Sequence, residues 1–349
     1  LRKFLFVAFL VALTLALYFS FFAFRSPGGK TVTYVPYRGA PQSEEEFLER
    51  DSLLFYAELK ERLGQLGYTL NYSTLERPPL GSDYLIVINQ KRSKLASWFV
   101  SLFPKGRKIA LIFEPPIIEP KAFTDRFADQ FSAIYYMTDR AVDGGQRRKL
   151  HFPHRLEPIA HWPQFEEKQL CTLVAGNHTS SFANSLYAER ANAIAFFEES
   201  HPDSFGFYGR GWSEDGHPCY LGSVDDKLEA MSHFRFSICY ENSIDEGNLT
   251  EKIFDSMCAG CVPVYWGDPQ VTRWVPSDCF IDRTAFETPR SLFDHLASME
   301  KEEYEGYLAR IRAYLAGEKA QVRSKNSFVG EVAGAVLEMA ARRSSGRAL

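Results

Sequence analysis

The 349 residues contain no D-x-D triplet, so a carboxylate set holding a metal-bound diphosphate is not indicated. They contain no G-x-x-x-x-G-K-[ST] loop either, which argues against a P-loop nucleotidase. The glycines of 206–211 miss the dinucleotide spacing G-x-G-x-x-G and read as a turn, and no G-x-S-x-G nucleophile elbow occurs. Cysteine is scarce. The six, at 171, 219, 239, 258, 261 and 279, lack the two close pairs of a zinc site. Most lie in apolar runs and read as buried free thiols, which weakens the case for an oxidising compartment. Charge of one sign is also missing: the net charge of −4 gives no reason to expect nucleic acid. With 45% hydrophobic and 24% charged residues the chain is a folding one, and its length suggests two domains after a short extra segment.

What is present begins with an apolar run at residues 4–24, broken only mildly by Thr14 and Ser20. About 20 such residues span a bilayer as a helix. A signal anchor is favoured over a cleaved signal peptide, because no A-x-A-like site precedes Arg25. Flanking charges (Arg2 and Lys3 before; Arg25, Lys30 and Arg38 after) leave the orientation open. From residue 31 onward, strand-like runs (TVTYV, YLIVIN, KIALIF, AIYYMT) alternate with helical spacing at 44–63 and 93–103. That is an α/β pattern, which keeps ligand sites at the carboxyl ends of its strands. Glu114 stands at such an end, before Pro115 and Pro116, which stiffen the chain.

Residues 157–168, with two prolines, read as a linker. Beyond it come a strand at 169–175, a helix at 185–197, a strand from 205 and a helix at 225–231. The most informative stretch is 234–269, FRFSICYENSIDEGNLTEKIFDSMCAGCVPVYWGDP in its bulk. It reads as a buried strand, a polar loop, a helix N-capped by Thr250 and stopped by Gly260, and a second strand at 262–266. The loop and the helix N-terminus offer Glu241, Asn242, Asn248, Glu251 and Lys252 to one place. Free N–H groups and the helix dipole there favour a phosphate, so this is a nucleotide-type site in outline.

The sequence ENS…LTEK followed by AGCVPVYWG resembles the signature of the α1,3-fucosyltransferases, glycosyltransferase family 10. The resemblance covers roughly residues 108–314 and is strongest at 205–280. It implies an α/β fold of two Rossmann-like domains facing a cleft, the GT-B type. The expected order is an N-terminal transmembrane anchor at 1–30, an acceptor-side domain at 31–156, the linker at 157–168, a donor-binding domain at 169–330 and a C-terminal helix or tail at 331–349. It implies an inverting transfer of L-fucose from GDP-fucose to a glycan hydroxyl, with no cofactor or metal required. By the same resemblance Glu114 matches the family's catalytic base. Lys252, Glu251, Thr250, Asn248, Glu241, Asn242 and Gly209 fall on donor-binding positions. The family's arginine at the start of the helix after the 169–175 strand is missing, and Arg190, one turn later, is the nearest candidate. An aromatic residue is usual in the family where Asn248 stands, which leaves the sugar open. Asn248 is also one of three N-x-[ST] sequons, with Asn71 and Asn177, and a glycan there would block the site.

Alternatives remain: a related transferase with another nucleotide sugar, or a membrane-tethered module that binds nucleotide sugars or glycans without transfer. The expected partners are the donor, a glycan or glycoconjugate acceptor, and lipid around residues 4–24. The expected location is a single-pass membrane protein, in the Golgi membrane with a lumenal catalytic domain in a eukaryote, or in the inner membrane of a bacterium.

Overall fold

The structure is a computed structural model and describes residue 12 and residues 29–37, 39–49, 55–74, 81–89 and 94–345. The 4–24 run lies outside the described residues apart from residue 12. Among the described residues no helix is long and apolar enough to cross a membrane. The chain divides into two compact units. One comprises residues up to 137 with 141–151 and 325–349; the other comprises 138–140 and 152–324.

The first unit carries a parallel sheet of six strands: β1 Thr31–Val35, β2 Thr69–Tyr72, β3 Tyr84–Ile88, β4 Lys108–Ile112, β5 Ala133–Tyr136 and β6 Arg147–Lys149. Their order is β2-β1-β3-β4-β5-β6. β3 and β4 are buried at every residue, as continuous apolar runs covered on both faces must be. Ring contacts of Tyr34 with Phe47, Tyr56 and Tyr72 fill one part of the core. Val87, Val100, Phe103, Ile112 and Phe131 fill another. Among the described residues, the helical spacing at 44–63 corresponds to helix at Glu44–Glu49 and Tyr56–Gln65. The C-terminal helix starts earlier than expected, at Lys325, and runs to Ser344. It belongs to this first unit because Phe328 packs on Phe55 with tilted rings, centroids 4.4 Å apart, and Lys325, Glu338 and Arg343 pair with Glu58, Arg148 and Asp83.

The second unit is a five-stranded parallel sheet of β7 Gln169–Val174, β8 Phe205–Tyr208, β9 Phe234–Tyr240, β10 Val262–Trp266 and β11 Ile281–Asp282. The order β11-β10-β9-β7-β8 reverses direction between β7 and β9. Loops leaving those two strands therefore diverge, opening a crevice at their carboxyl ends. Residues 157–168, expected as a linker, are instead tied into this unit. Ile159 N–H and Trp162 Nε1–H both donate to the Cys258 carbonyl, and Lys168 Nζ donates to the Gly260 carbonyl at 2.6 Å. A linker tract with a tryptophan and a lysine stem gains more by burial there than by staying in water.

Candidate functional site

The site is assembled where β9 ends. Its Glu241 is fully buried, which an ionised carboxylate tolerates only with strong partners. It has three. Oε1 accepts the Thr250 N–H at 2.9 Å, and Oε2 accepts the Thr250 hydroxyl at 2.7 Å and Lys252 Nζ at 3.2 Å. Thr250 stands at the N-cap position of the helix Glu251–Cys258, but its side chain does not cap. Its hydroxyl donates to Glu241 and accepts from Lys252 Nζ at 2.9 Å instead, because a buried carboxylate is a stronger acceptor than any alternative within reach.

That helix buries Ile253, Phe254, Met257 and Cys258, the face read from their spacing. It ends in a Schellman motif: Gly260 N–H bonds to the Met257 carbonyl and Cys261 N–H to the Ser256 carbonyl. Gly260 has φ +73°, and a Cβ on it would overlap the Trp162 ring. Both requirements select glycine.

Lys252 keeps only a small exposed tip. Burial works against its charge, but Glu241 and Glu251 outweigh it and hold the ammonium pKa above the ordinary lysine value. Glu251 is half exposed, with its carboxylate 3.4 Å from Lys252 Nζ. Desolvation raises its pKa, and Lys252 with Lys227 more than reverses that, leaving it well below the usual carboxylate range. The helix start thus presents a fixed cation, a fixed anion and a dipole end within one turn.

Arg190, on the helix Tyr187–Ser200 that follows β7, reaches the same strand end. Nε and Nη2 both donate to the Tyr240 carbonyl, and Nη2 also donates to Asn242 Oδ1 at 2.9 Å. Burial lowers its pKa and Glu241 acts against that. Arg190 is therefore a buried brace that orients Asn242 across the β7/β9 switch. Asn248 is buried with neither amide atom hydrogen-bonded, so its side chain is closed to a glycan in the folded chain. Asn71 and Asn177 are exposed. Gly209 lies at the end of β8, where its N–H bonds to the Gly222 carbonyl and its carbonyl accepts from Tyr220. A Cβ there would overlap the Ala175 carbonyl, so this glycine serves close backbone approach of β7 and β8. Glu114 lies just past β4 of the first unit, half-buried, ahead of a turn closed by Ile118 and Glu119 N–H groups on the Pro115 carbonyl.

Three supporting residues carry little signal in sequence. Gly267 has no room for a Cβ, which would overlap the Glu241 side chain and the Tyr265 hydroxyl. Arg323 is buried over the Trp274 ring, and its Nη1 donates to the Leu249 carbonyl at 3.4 Å, in the loop after β9. Burial pulls its pKa down to about 10. His154 stacks on Phe254 of the site helix, with centroids 4.4 Å apart. Only the G of YWG was visible as part of a motif; a lone arginine and histidine are not. Among the described residues no cluster of His, Cys, Asp or Glu is suited to a metal ion.

Comparison with known proteins finds a family match over most of the second unit. Residues 170–333 match the family Glycosyltransferase family 10 (fucosyltransferase) C-term. That stretch is just under half of the chain. The mouse protein Alpha-(1,3)-fucosyltransferase 7 is 35% identical over 171 residues, covering 47% of this chain and 41% of its own. The chicken protein GDP-fucose protein O-fucosyltransferase 3 is 35% identical over 81 residues, covering 22% of this chain and 17% of its own. The chain thus matches less than half the length of these relatives. A crystal structure of an α1,3-fucosyltransferase superposes with a TM-score of 0.58 at 14% identity, over 88% of this chain and 90% of that one. That likeness shows the fold: an α/β architecture of two parallel sheets, as in GT-B-type glycosyltransferases.

Proposed function

We propose that this chain is an inverting glycosyltransferase that moves L-fucose from GDP-fucose onto a hydroxyl of a glycan acceptor. The observation that carries the reading is the Glu241–Thr250–Lys252 cluster at the helix start beside the β7/β9 switch, within the stretch that matches family 10. As the sugar leaves, negative charge grows on the diphosphate. A preset ammonium and helix N–H groups stabilise that charge more in the transition state than in the ground state. In this reading Glu251 accepts hydrogen bonds from sugar or ribose hydroxyls and Asn242 donates to them. The acceptor must lose a proton as it attacks, and Glu114 supplies the base in this reading. Metal independence follows from Lys252 taking the charge-neutralising role. Residues 4–24 are proposed as a single-pass membrane anchor.

The 35% match to a protein O-fucosyltransferase supports a second reading in which the acceptor hydroxyl belongs to a polypeptide. One experiment addresses both. The full chain is offered GDP-fucose, other GDP-, UDP- and CMP-sugars, and glycan or peptide acceptors, with nucleotide release as readout. Release of GDP from GDP-fucose, abolished by Lys252→Ala in a folded variant, supports the proposal; release only from a non-GDP sugar refutes it.

A further inference from the structure

The second unit also holds a cavity of about 310 Å³ lined by Arg140, Asn184, Ile244, Asp245, Glu246 and Pro269. Three of these residues lie on the loop after β9. Asn184 comes from the loop after β7 and Pro269 from the loop after β10, so the cavity sits at the carboxyl edge of the sheet, where such folds bind ligands. Its walls are fixed. Ile244 N–H donates to the Asn184 carbonyl at 2.9 Å, and the Glu246 carbonyl accepts from Asp139 N–H at 2.8 Å and the Thr138 hydroxyl at 3.0 Å. Arg140 Nε donates to the buried Asp245 at 2.9 Å, which spends one cation on one anion. The exposed Glu246 carboxylate then leaves the rim net negative.

That charge turns a phosphate away. The lining instead offers a carboxylate, an amide and a guanidinium edge against the apolar faces of Ile244 and Pro269. A hydroxylated ring, with C–H faces and a rim of O–H groups, complements this combination. The volume is at the low end of the roughly 300–1,000 Å³ typical of small-molecule sites, which fits a monosaccharide-sized ligand rather than a whole nucleotide sugar. We infer that the Asn184–Glu246 cavity is a saccharide subsite, separate from the Lys252 phosphate end. The inference rests on the transferase reading for its substrates, but not for sugar binding itself. The sugar is either the donor's or the acceptor's.

The test uses the full chain and the double variant Asn184→Ala/Glu246→Gln, both at exposed side chains outside the Glu241–Lys252 cluster. KM for acceptor, KM for GDP-fucose and Kd for GDP are measured. The expected result is a rise of about tenfold in one sugar-substrate KM with the GDP Kd unchanged. A rise for acceptor alone assigns the acceptor's sugar; a rise for GDP-fucose alone assigns the donor's. Sugar-substrate constants within twofold of wild type, or a parallel loss of GDP affinity, overturn the inference. If the wild-type chain transfers no sugar, the transferase reading has failed and the subsite is tested by itself. Saturation-transfer NMR with methyl α-L-fucoside and methyl β-D-galactoside should then show contact to the wild type that the double variant lacks, and no contact to the wild type refutes the subsite.

Discussion

Glu241→Gln isolates what holds the site helix in place. The carboxylate accepts three hydrogen bonds in a fully buried position, two from Thr250 and one from Lys252. Glutamine has nearly the same shape and keeps one acceptor oxygen, but its amide nitrogen cannot accept from the Thr250 hydroxyl, and its charge is gone. Breaking a buried ion pair costs about 3–5 kcal/mol, and each charge-assisted hydrogen bond about 1.5–3 kcal/mol. Lys252 has a small exposed tip through which it regains some hydration, so the lower end, about 3 kcal/mol, is expected. At about 2–4 °C per kcal/mol for a unit of this size, the second unit's melting transition should fall by about 6–12 °C. The pH dependence gives a second, independent check. Lys252 is held above the ordinary lysine pKa in the folded chain. Its pairing therefore stabilises fully below about pH 10.4 and is lost as pH rises through the higher folded value. Wild type should lose this stability at alkaline pH, and the glutamine variant should not. Calorimetry and urea titrations from pH 7 to 11 measure both effects. A loss below about 1 kcal/mol, or the same alkaline limb in both proteins, would refute the assignment of Glu241 as the anchor of Lys252.

Gly267→Ala should destabilise the second unit and weaken GDP binding together, since its Cβ has to displace the Glu241 side chain; unchanged GDP affinity by calorimetry contradicts this. The six cysteines are buried and unpaired, and burial pushes Cys239, Cys258, Cys261 and Cys279 up to about 12. Thiol titration with an aromatic disulfide at pH 8 should therefore be slow in the native chain and reach six on unfolding, whereas rapid native labelling of these four would contradict their burial. Chelation by EDTA should leave nucleotide release within about twofold of its starting rate, and a complete loss restored by added divalent cation would contradict the role given to Lys252.

Much of the fold was legible because apolar runs and turn residues set it locally. YLIVI, KIALI and FRFSICY announce buried parallel strands, and Gly260 announces the helix stop. Two edge strands were not legible. TLNY is four residues long, and RRK has no apolar residue at all, so each is held in place by its neighbour rather than by its own pattern. The return of the C-terminal helix to the first unit was likewise invisible, because it depends on Phe328 meeting Phe55 across most of the chain. The same distinction runs through the site. Its residues were named from one stretch of sequence, but the partner of each polar group was not. Thr250 read as a cap and proved to be a bridge; Arg190, the nearest candidate for the family's arginine, has its guanidinium on the Tyr240 carbonyl and Asn242 Oδ1.

These pairings divide the E-N…T-E-K stretch by task. Glu241 and Thr250 spend their side-chain hydrogen bonds inside the protein, on each other and on Lys252. They fix where the helix begins and where the ammonium points. Asn242 has its amide oxygen held by Arg190 and is only partly buried. Lys252 and Glu251 keep the exposed parts of the cluster, one of each sign. A substitution at Glu241 or Thr250 should therefore act on stability and on ligand affinity together. One at Glu251 should act on the ligand alone, because a half-exposed carboxylate beside an ammonium contributes little to folding. Glu251→Gln is the discriminating variant. Its melting temperature should stay within about 2 °C of wild type while kcat/KM for the donor falls, by about 10-fold for one lost charged hydrogen bond to a hydroxyl. A variant with wild-type kcat/KM would remove Glu251 from the site, and one that loses stability as Glu241→Gln does would make it another structural partner of Lys252.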